Sequence, residues 1–165
     1  MQVQTGSEEK IQLQCQKLIS TDVLQKCFIP YYKEQRKLHG EWFLLKKVLF
    51  PGYVFMITDV PEELWYDLKK VQGLTKLLVT DGEMIPLSDE EVDFLLRFGG
   101  EEQVVEISKG VFEGSRVKVI SGPLVGKEGL IKKIDYHKRK AILEVEMFGR
   151  KQQIRFGLEV QMEKA

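Results

Sequence analysis

The longest apolar run of the chain, residues 48–57, reads "VLFPGYVFMI" and is interrupted by Pro51-Gly52. Proline has no N–H to give to a ladder and glycine admits a bend, so this run is neither a regular central strand nor a helix. At ten residues it is also far short of a bilayer span, and with no longer run elsewhere a transmembrane helix is excluded. The expected geometry is a bulge that splays Leu49 and Phe50 before "YVFMI" resumes pairing. Alternation then puts Tyr53 and Phe55 on one face and Val54 and Met56 on the other. One reading packs all of this into a core around the bulge; the other turns an aromatic face toward a groove that a partner fills.

What surrounds the run is ordinary globular sequence. The 165 residues suffice for one domain or two small ones, and 43% hydrophobic with 30% charged residues is enough to bury a core. The opening "MQVQTGSEEK" lacks the basic lead-in and apolar region of a secretory signal. Cys15 and Cys27 have neither CxxC nor metal spacing, which suits two buried thiols in a reducing cytoplasm. A formal net charge of zero hides an asymmetry: residues 1–100 hold 12 Lys/Arg and 15 Asp/Glu, residues 101–165 hold 13 and 10. Within residues 116–155 the count is 11 basic to 4 acidic, marking the second part as a candidate for a polyanion.

The first part alternates strands and helices. "MQVQT" has a period of two; Ser7 can cap a helix with Glu8 and Glu9 in its first turn and Ile11, Cys15, Leu18 and Ile19 inward. "CFIPYYKEQRKLHGEWFLLKK" reads as two strands around His39-Gly40, with Pro30 at an edge or bulge. Pro61 opens a second helix with a Leu64, Leu68, Val71 stripe that Gly73 ends, and "LTKLLV" is a further short strand. Ser88 and Glu91 form a capping box for a third helix with Val92, Leu95 and Leu96 inward. The sum over residues 1–98 is an α+β sandwich, helices on a mostly antiparallel sheet. Residues 99–110, with paired glycines and acids, read as a mobile linker. Over residues 111–165, "SRVKVIS", "GLIKKID", "KAILEVEMF" and "RKQQIRF" are short, β-branched runs between turn signals, predicting a five-stranded barrel.

Catalysis finds no footing. The two histidines, His39 and His137, fall in hairpin turns, and Glu62-Glu63 and Glu90-Glu91 serve helix first turns. No enzymatic activity, metal site or cofactor is expected.

"LFPGYVFM", followed by "ELWYDLKKVQGL" and "PLSDEEVDFLL", resembles the amino-terminal (NGN) domain of NusG-type transcription elongation factors. "VKVISGPLVGKEGLIKKIDYHKRKAILEVEMFGR" resembles that family's KOW module, a small SH3-like barrel. The resemblance implies a bacterial factor whose first domain docks on the clamp helices of the largest RNA polymerase subunit and suppresses pausing. It places Phe50 and Tyr53 in the docking concavity, shaped by Pro51 and Gly52, with Phe55 as an addition. Non-template DNA is a further candidate contact of this domain. Family members usually open with an aromatic pair where this chain has Met1-Gln2.

General NusG proteins usually carry aromatics after the "GP" of the KOW turn and three residues later, contacting Rho and a small-subunit ribosomal protein; here Leu124 and Lys127 stand instead, which weakens the case for those partners and leaves a general factor coupling transcription to Rho or to the ribosome as the alternative. "KEGLIKKIDYHKRKA" and "FGRKQQIRFGLEV" resemble the LoaP branch of the family, processive antiterminators that act through nascent RNA. On that reading Lys127, Lys132, Lys133, His137, Lys138, Arg139, Lys140, Arg150 and Lys151 contact RNA. Clustered cations neutralise phosphates, and with only Tyr136 as a neighbouring aromatic a folded hairpin is favoured over a stacked single strand. The chain is expected to act as a monomer away from membranes.

Overall fold

The computed structural model describes residues 1–72, 74–76, 79–80, 83–84 and 86–161. The chain runs through β1 (Gln2–Val3), α1 (Glu8–Leu18), β2 (Lys26–Phe28), β3 (Tyr31–Leu38), β4 (Glu41–Val48), β5 (Phe55–Ile57), α2 (Pro61–Asp67), β6 (Leu74–Lys76), β7 (Val79–Thr80) and β8 (Glu83–Met84). It continues through α3 (Asp89–Gly99), β9 (Val104–Val105), β10 (Ser108–Glu113), β11 (Arg116–Ser121), β12 (Ile131–Asp135), β13 (Lys140–Met147) and β14 (Arg150–Gln161). The fold is α+β with largely antiparallel ladders, and its largest sheet is the five-stranded one of β10 to β14. Gly73 and the Leu77-Leu78 centre of the expected strand lie outside the described residues.

Two compact units form, Met1–Ile29 with Phe50–Leu87, and Pro30–Leu49 with Ser88–Ala165. In the first, β1 pairs with β6 and β2 with β5. α1 buries Ile11 and Cys15, with Ile19 just beyond it, whereas Leu18, expected on the same face, is exposed. The Cys27 thiol hydrogen-bonds the Cys15 sulfur, which pushes Cys27 well above its ordinary range. Pro61 opens α2, and Leu64, Leu68 and Val71 are buried along the expected stripe.

The second unit joins elements that the sequence assigned to different domains. β3 and β4 form a hairpin whose turn residues His39 and Gly40 take φ of 50° and 81°, the left-handed pair a two-residue turn needs. The strand order β11-β10-β14-β13-β12 realises the five expected strands, with β14 antiparallel to β13 and parallel to β10. Gly157 on β14 lets β3 approach: a Cβ there would stand 2.4 Å from the Lys33 carbonyl oxygen.

Two expectations shift here. The segment 99–110 carries β9 and the start of β10 in place of a mobile linker, and Gln103, Val105 and Ser108 are buried. Its order has a local cause: the Gln103 amide donates to the carbonyls of Leu95 (3.0 Å) and Gly100 (2.6 Å), partners a helix C-terminus otherwise lacks. The Ser88–Glu91 capping box forms as expected, but α3 buries Leu95 and Phe98 while Val92 and Leu96 are exposed. The helix turns this way because Phe98 packs against Phe156, with ring centroids 5.3 Å apart.

Candidate functional site

The 48–57 segment turns at Pro51-Gly52, where Gly52 has φ of 87°, before β5 pairs with β2. The turn is held at both ends of the peptide. Gly52 N–H donates to Glu8 Oε1 at 2.8 Å, and its carbonyl accepts from Val3 N–H at 2.8 Å. Glu8 also accepts from Gly6 N–H through both oxygens at 3.1 Å. With 4% exposure this carboxylate is a buried tie between the α1 start and the turn. Ser7, the expected cap, makes no side-chain cap bond.

The aromatics of this segment are in the core. Phe50, Tyr53 and Phe55 are 2%, 4% and 5% exposed, Gly52 is buried, and Pro51 alone of the five expected contact residues reaches the surface. Phe55 stacks on Phe28 at 5.4 Å and meets Phe50 at 5.8 Å. The structure therefore brings these residues together by packing their rings on one another. Removing them from water is worth roughly 2–3 kcal/mol per ring, which no open groove would supply.

A second constellation lies wholly within the second unit. A cleft of about 380 Å3 has one wall from β3 and β4 and the other from the β12–β13 turn. Arg36, Lys37 and Lys47 line the first wall, Lys138 and Lys140 the second, with His137 beside them; Glu34 is the single carboxylate among the described residues that line it. The turn is set by Asp135, whose Oδ1 accepts the Lys138 N–H at 3.0 Å; that bond holds the Asp135 carboxyl below its usual range. Arg139 then adopts φ of 52°, and its guanidinium lies 3.7 Å from the Trp42 ring centroid. It also donates to Gln35 Oε1 at 2.8 Å and sits 3.5 Å from Glu159. Lys140 reaches the buried Glu34 at 2.8 Å. Burial and the same carboxylate push the Tyr32 hydroxyl up, and it donates to Glu34 Oε2 at 3.2 Å.

The remaining expected RNA contacts are scattered. Lys132 and Lys133 line another cleft of about 460 Å3 with Arg116 and Tyr136. That wall is braced by Glu128, which accepts the Val119 N–H at 2.9 Å and is held below its usual range by that bond. Arg150 and Lys151 lie exposed beyond the β13–β14 turn, Lys151 within 3.6 Å of Glu144. Lys127 is half-buried just before a short 3-10 turn.

Residues 1–96 match the family described as transcription termination factor nusG, and residues 113–146 match the KOW motif. The chain belongs to the NusG family. It is 33% identical to the transcription termination/antitermination protein NusG of Borreliella burgdorferi, over 90% of this chain and 89% of that protein. Similarity to the NusG proteins of Halalkalibacterium halodurans (32% identical) and Bacillus subtilis (30%) covers 88% of this chain and 86% of each of theirs. These relatives carry the name of the general factor.

Within this NusG-type chain, Leu124 is fully buried, and its N–H donates to Ser108 Oγ at 3.0 Å. Arg139 and Lys140, expected to face RNA, are engaged with Trp42, Glu159 and Glu34 inside the unit. Arg36, Lys37 and Lys47 were not singled out by sequence; the signal available was "EQRKLHGEWFLLKK", a hairpin with cations on both strands, whose partner wall lies about a hundred residues on.

Proposed function

We propose that this NusG-type protein is a specialised elongation factor that acts on RNA polymerase and on the RNA it emits. Its first part docks on the clamp helices of the largest polymerase subunit; its KOW-containing part holds a structured nascent RNA; together they suppress pausing and termination. The protein works as a monomer in the cytoplasm and carries out no bond chemistry, favouring one state of the polymerase by binding it. The observation that carries the RNA half is the excess of cations over residues 116–155, 11 against 4 acids, with buried Leu124 where an exposed aromatic would serve a protein partner. On this reading exposed Pro51 makes the contact, and the buried rings of Phe50, Tyr53 and Phe55 hold the turn that presents it.

A second reading, a general factor coupling transcription to Rho or to the ribosome, is favoured by the names of the relatives. Single-round transcription on a template with a structured leader followed by a terminator separates the two. The proposal expects read-through that rises only when the leader is present; leader-independent effects support the general factor. A photoreactive amino acid at exposed Pro51 is expected to crosslink to the largest subunit in a halted complex, and absence of that adduct counts against the docking assignment.

A further inference from the structure

The cleft between the β3–β4 hairpin and the β12–β13 turn draws cations from parts of the sequence far apart, and its charge is not used up internally. Glu34 is neutralised by Lys140, and Arg139 is held by Trp42, Gln35 and Glu159. No carboxylate of the described residues forms an ion pair with Arg36, Lys37 or Lys47, all three of which are exposed. β-sheet register places Lys37 opposite Trp42 and Lys47 opposite Tyr32, so the cations are spread along the hairpin. Alternation puts Arg36 and Lys47 on one face of the hairpin and Lys37 on the other, so the cleft gathers cations at the hairpin from both faces, and a polyanion laid there relieves the repulsion between them.

We propose that this cleft is a composite seat for the phosphate backbone of a double-helical RNA stem, with Arg36, Lys37 and Lys47 as contact residues beside Lys138. The assignment to RNA rests on the function proposed above; what it adds is the hairpin wall. A spread of exposed cations over two strands and a turn suits a row of phosphates and not one enclosed anion. Stacked, single-stranded bases are disfavoured, because the Trp42 ring already carries Arg139 at 3.7 Å and Lys37 at 5.9 Å. Trp42 thus shares in holding Arg139 with Gln35 and Glu159.

The test is fluorescence anisotropy of a labelled GC-rich RNA hairpin with the full chain at about 50 and about 200 mM KCl. The variant Arg36→Gln/Lys37→Gln/Lys47→Gln is expected to bind about tenfold or more weakly at the lower salt, with a log–log salt slope smaller by about 2–3. Lys132→Gln/Lys133→Gln, on the other cleft, is expected to lose less. If the triple variant binds like the unaltered chain while Lys132→Gln/Lys133→Gln does not, RNA binding stands and the composite seat is wrong. If the unaltered chain ignores the hairpin at low salt, the RNA reading itself fails and takes the seat with it. Equal or tighter binding of a DNA hairpin of the same sequence overturns the assignment to RNA. Ultraviolet crosslinking of the unaltered complex gives an answer free of folding effects: peptides from residues 36–47 are expected among the adducts, and their absence refutes the hairpin wall.

Discussion

Lys140, on the strand after the β12–β13 turn, places its ammonium 2.8 Å from the carboxylate of Glu34, which lies on β3 and is 3% exposed. Two residues that sequence reading put in separate domains thus form one half-buried ion pair. Removing a single partner of a buried pair costs about 3–5 kcal/mol, and water at Lys140 lowers that here to about 2 kcal/mol. Glu34→Gln is expected to destabilise by that amount and Lys140→Met by more, because the latter strands a buried charge. Urea unfolding of both singles and the double should show coupling; additive effects would mean that the pair contributes nothing.

Gly157 is a packing requirement. A methyl at this position would meet the Lys33 carbonyl oxygen at 2.4 Å and the Ile107 side chain at 2.9 Å. Overpacking of this kind costs about 1–3 kcal/mol, and more when backbone must move. Gly157→Ala is expected to lower the urea midpoint well beyond Gly149→Ala, whose added methyl meets nothing within 4 Å though its φ of 73° is strained.

Glu8 is expected to matter more than a residue in the first turn of a helix ordinarily does. Glu8→Ala leaves the Gly52 and Gly6 N–H groups without their carboxylate, and charge-assisted bonds of this kind are worth about 1.5–3 kcal/mol. Glu8→Gln keeps one acceptor and should recover part of the loss. Amide exchange at Gly52 reports it directly: unchanged protection in Glu8→Ala would remove the carboxylate from the account.

Acid should loosen the second unit in a defined way. The Glu128 carboxyl is held below its usual range by the Val119 N–H, so the unfolded chain takes up its proton at higher pH than the folded one. Its contribution is complete above the ordinary carboxylate value and is lost as pH falls through the depressed folded value. Urea midpoints measured from about pH 6 to about pH 3 are expected to decline less steeply in Glu128→Gln. An unchanged decline contradicts the assignment.

The FPGY stretch makes a prediction about stability before any about docking. Phe50→Ala and Tyr53→Ala remove rings from the core and are expected to cost about 3–5 kcal/mol, read as a lowered thermal midpoint. Pro51→Ala changes an exposed residue and should cost far less. Near-equal midpoints for the three would show that the rings are not packed.

What the sequence made legible follows from the range of the forces involved. The Ser88–Glu91 box, Pro61 at the start of α2 and the β-branched runs of β11 to β14 are local signals, and the elements appear where those signals stand. The Val48–Ile57 alternation left both faces apolar, so it did not distinguish core from surface. Nor did it announce Glu8, whose partner at Gly52 is 44 residues away. The cleft was half legible: the "HKRK" turn stood out by charge, but its opposing wall depends on β3 meeting β14, a match of shapes that leaves no periodic trace.

The bond from Arg139 to Gln35 spans 104 residues. During synthesis the β3–β4 hairpin leaves the ribosome long before the strands that accept it, with Phe43 and Leu44 bare to solvent even in the finished fold. Closing so long a loop is slow, and a truncated product ending before β14 would bare the β3 stretch around Tyr32 and Glu34 as well. Clearance of incomplete chains, as much as the speed of folding, then sets how much usable protein a cell obtains.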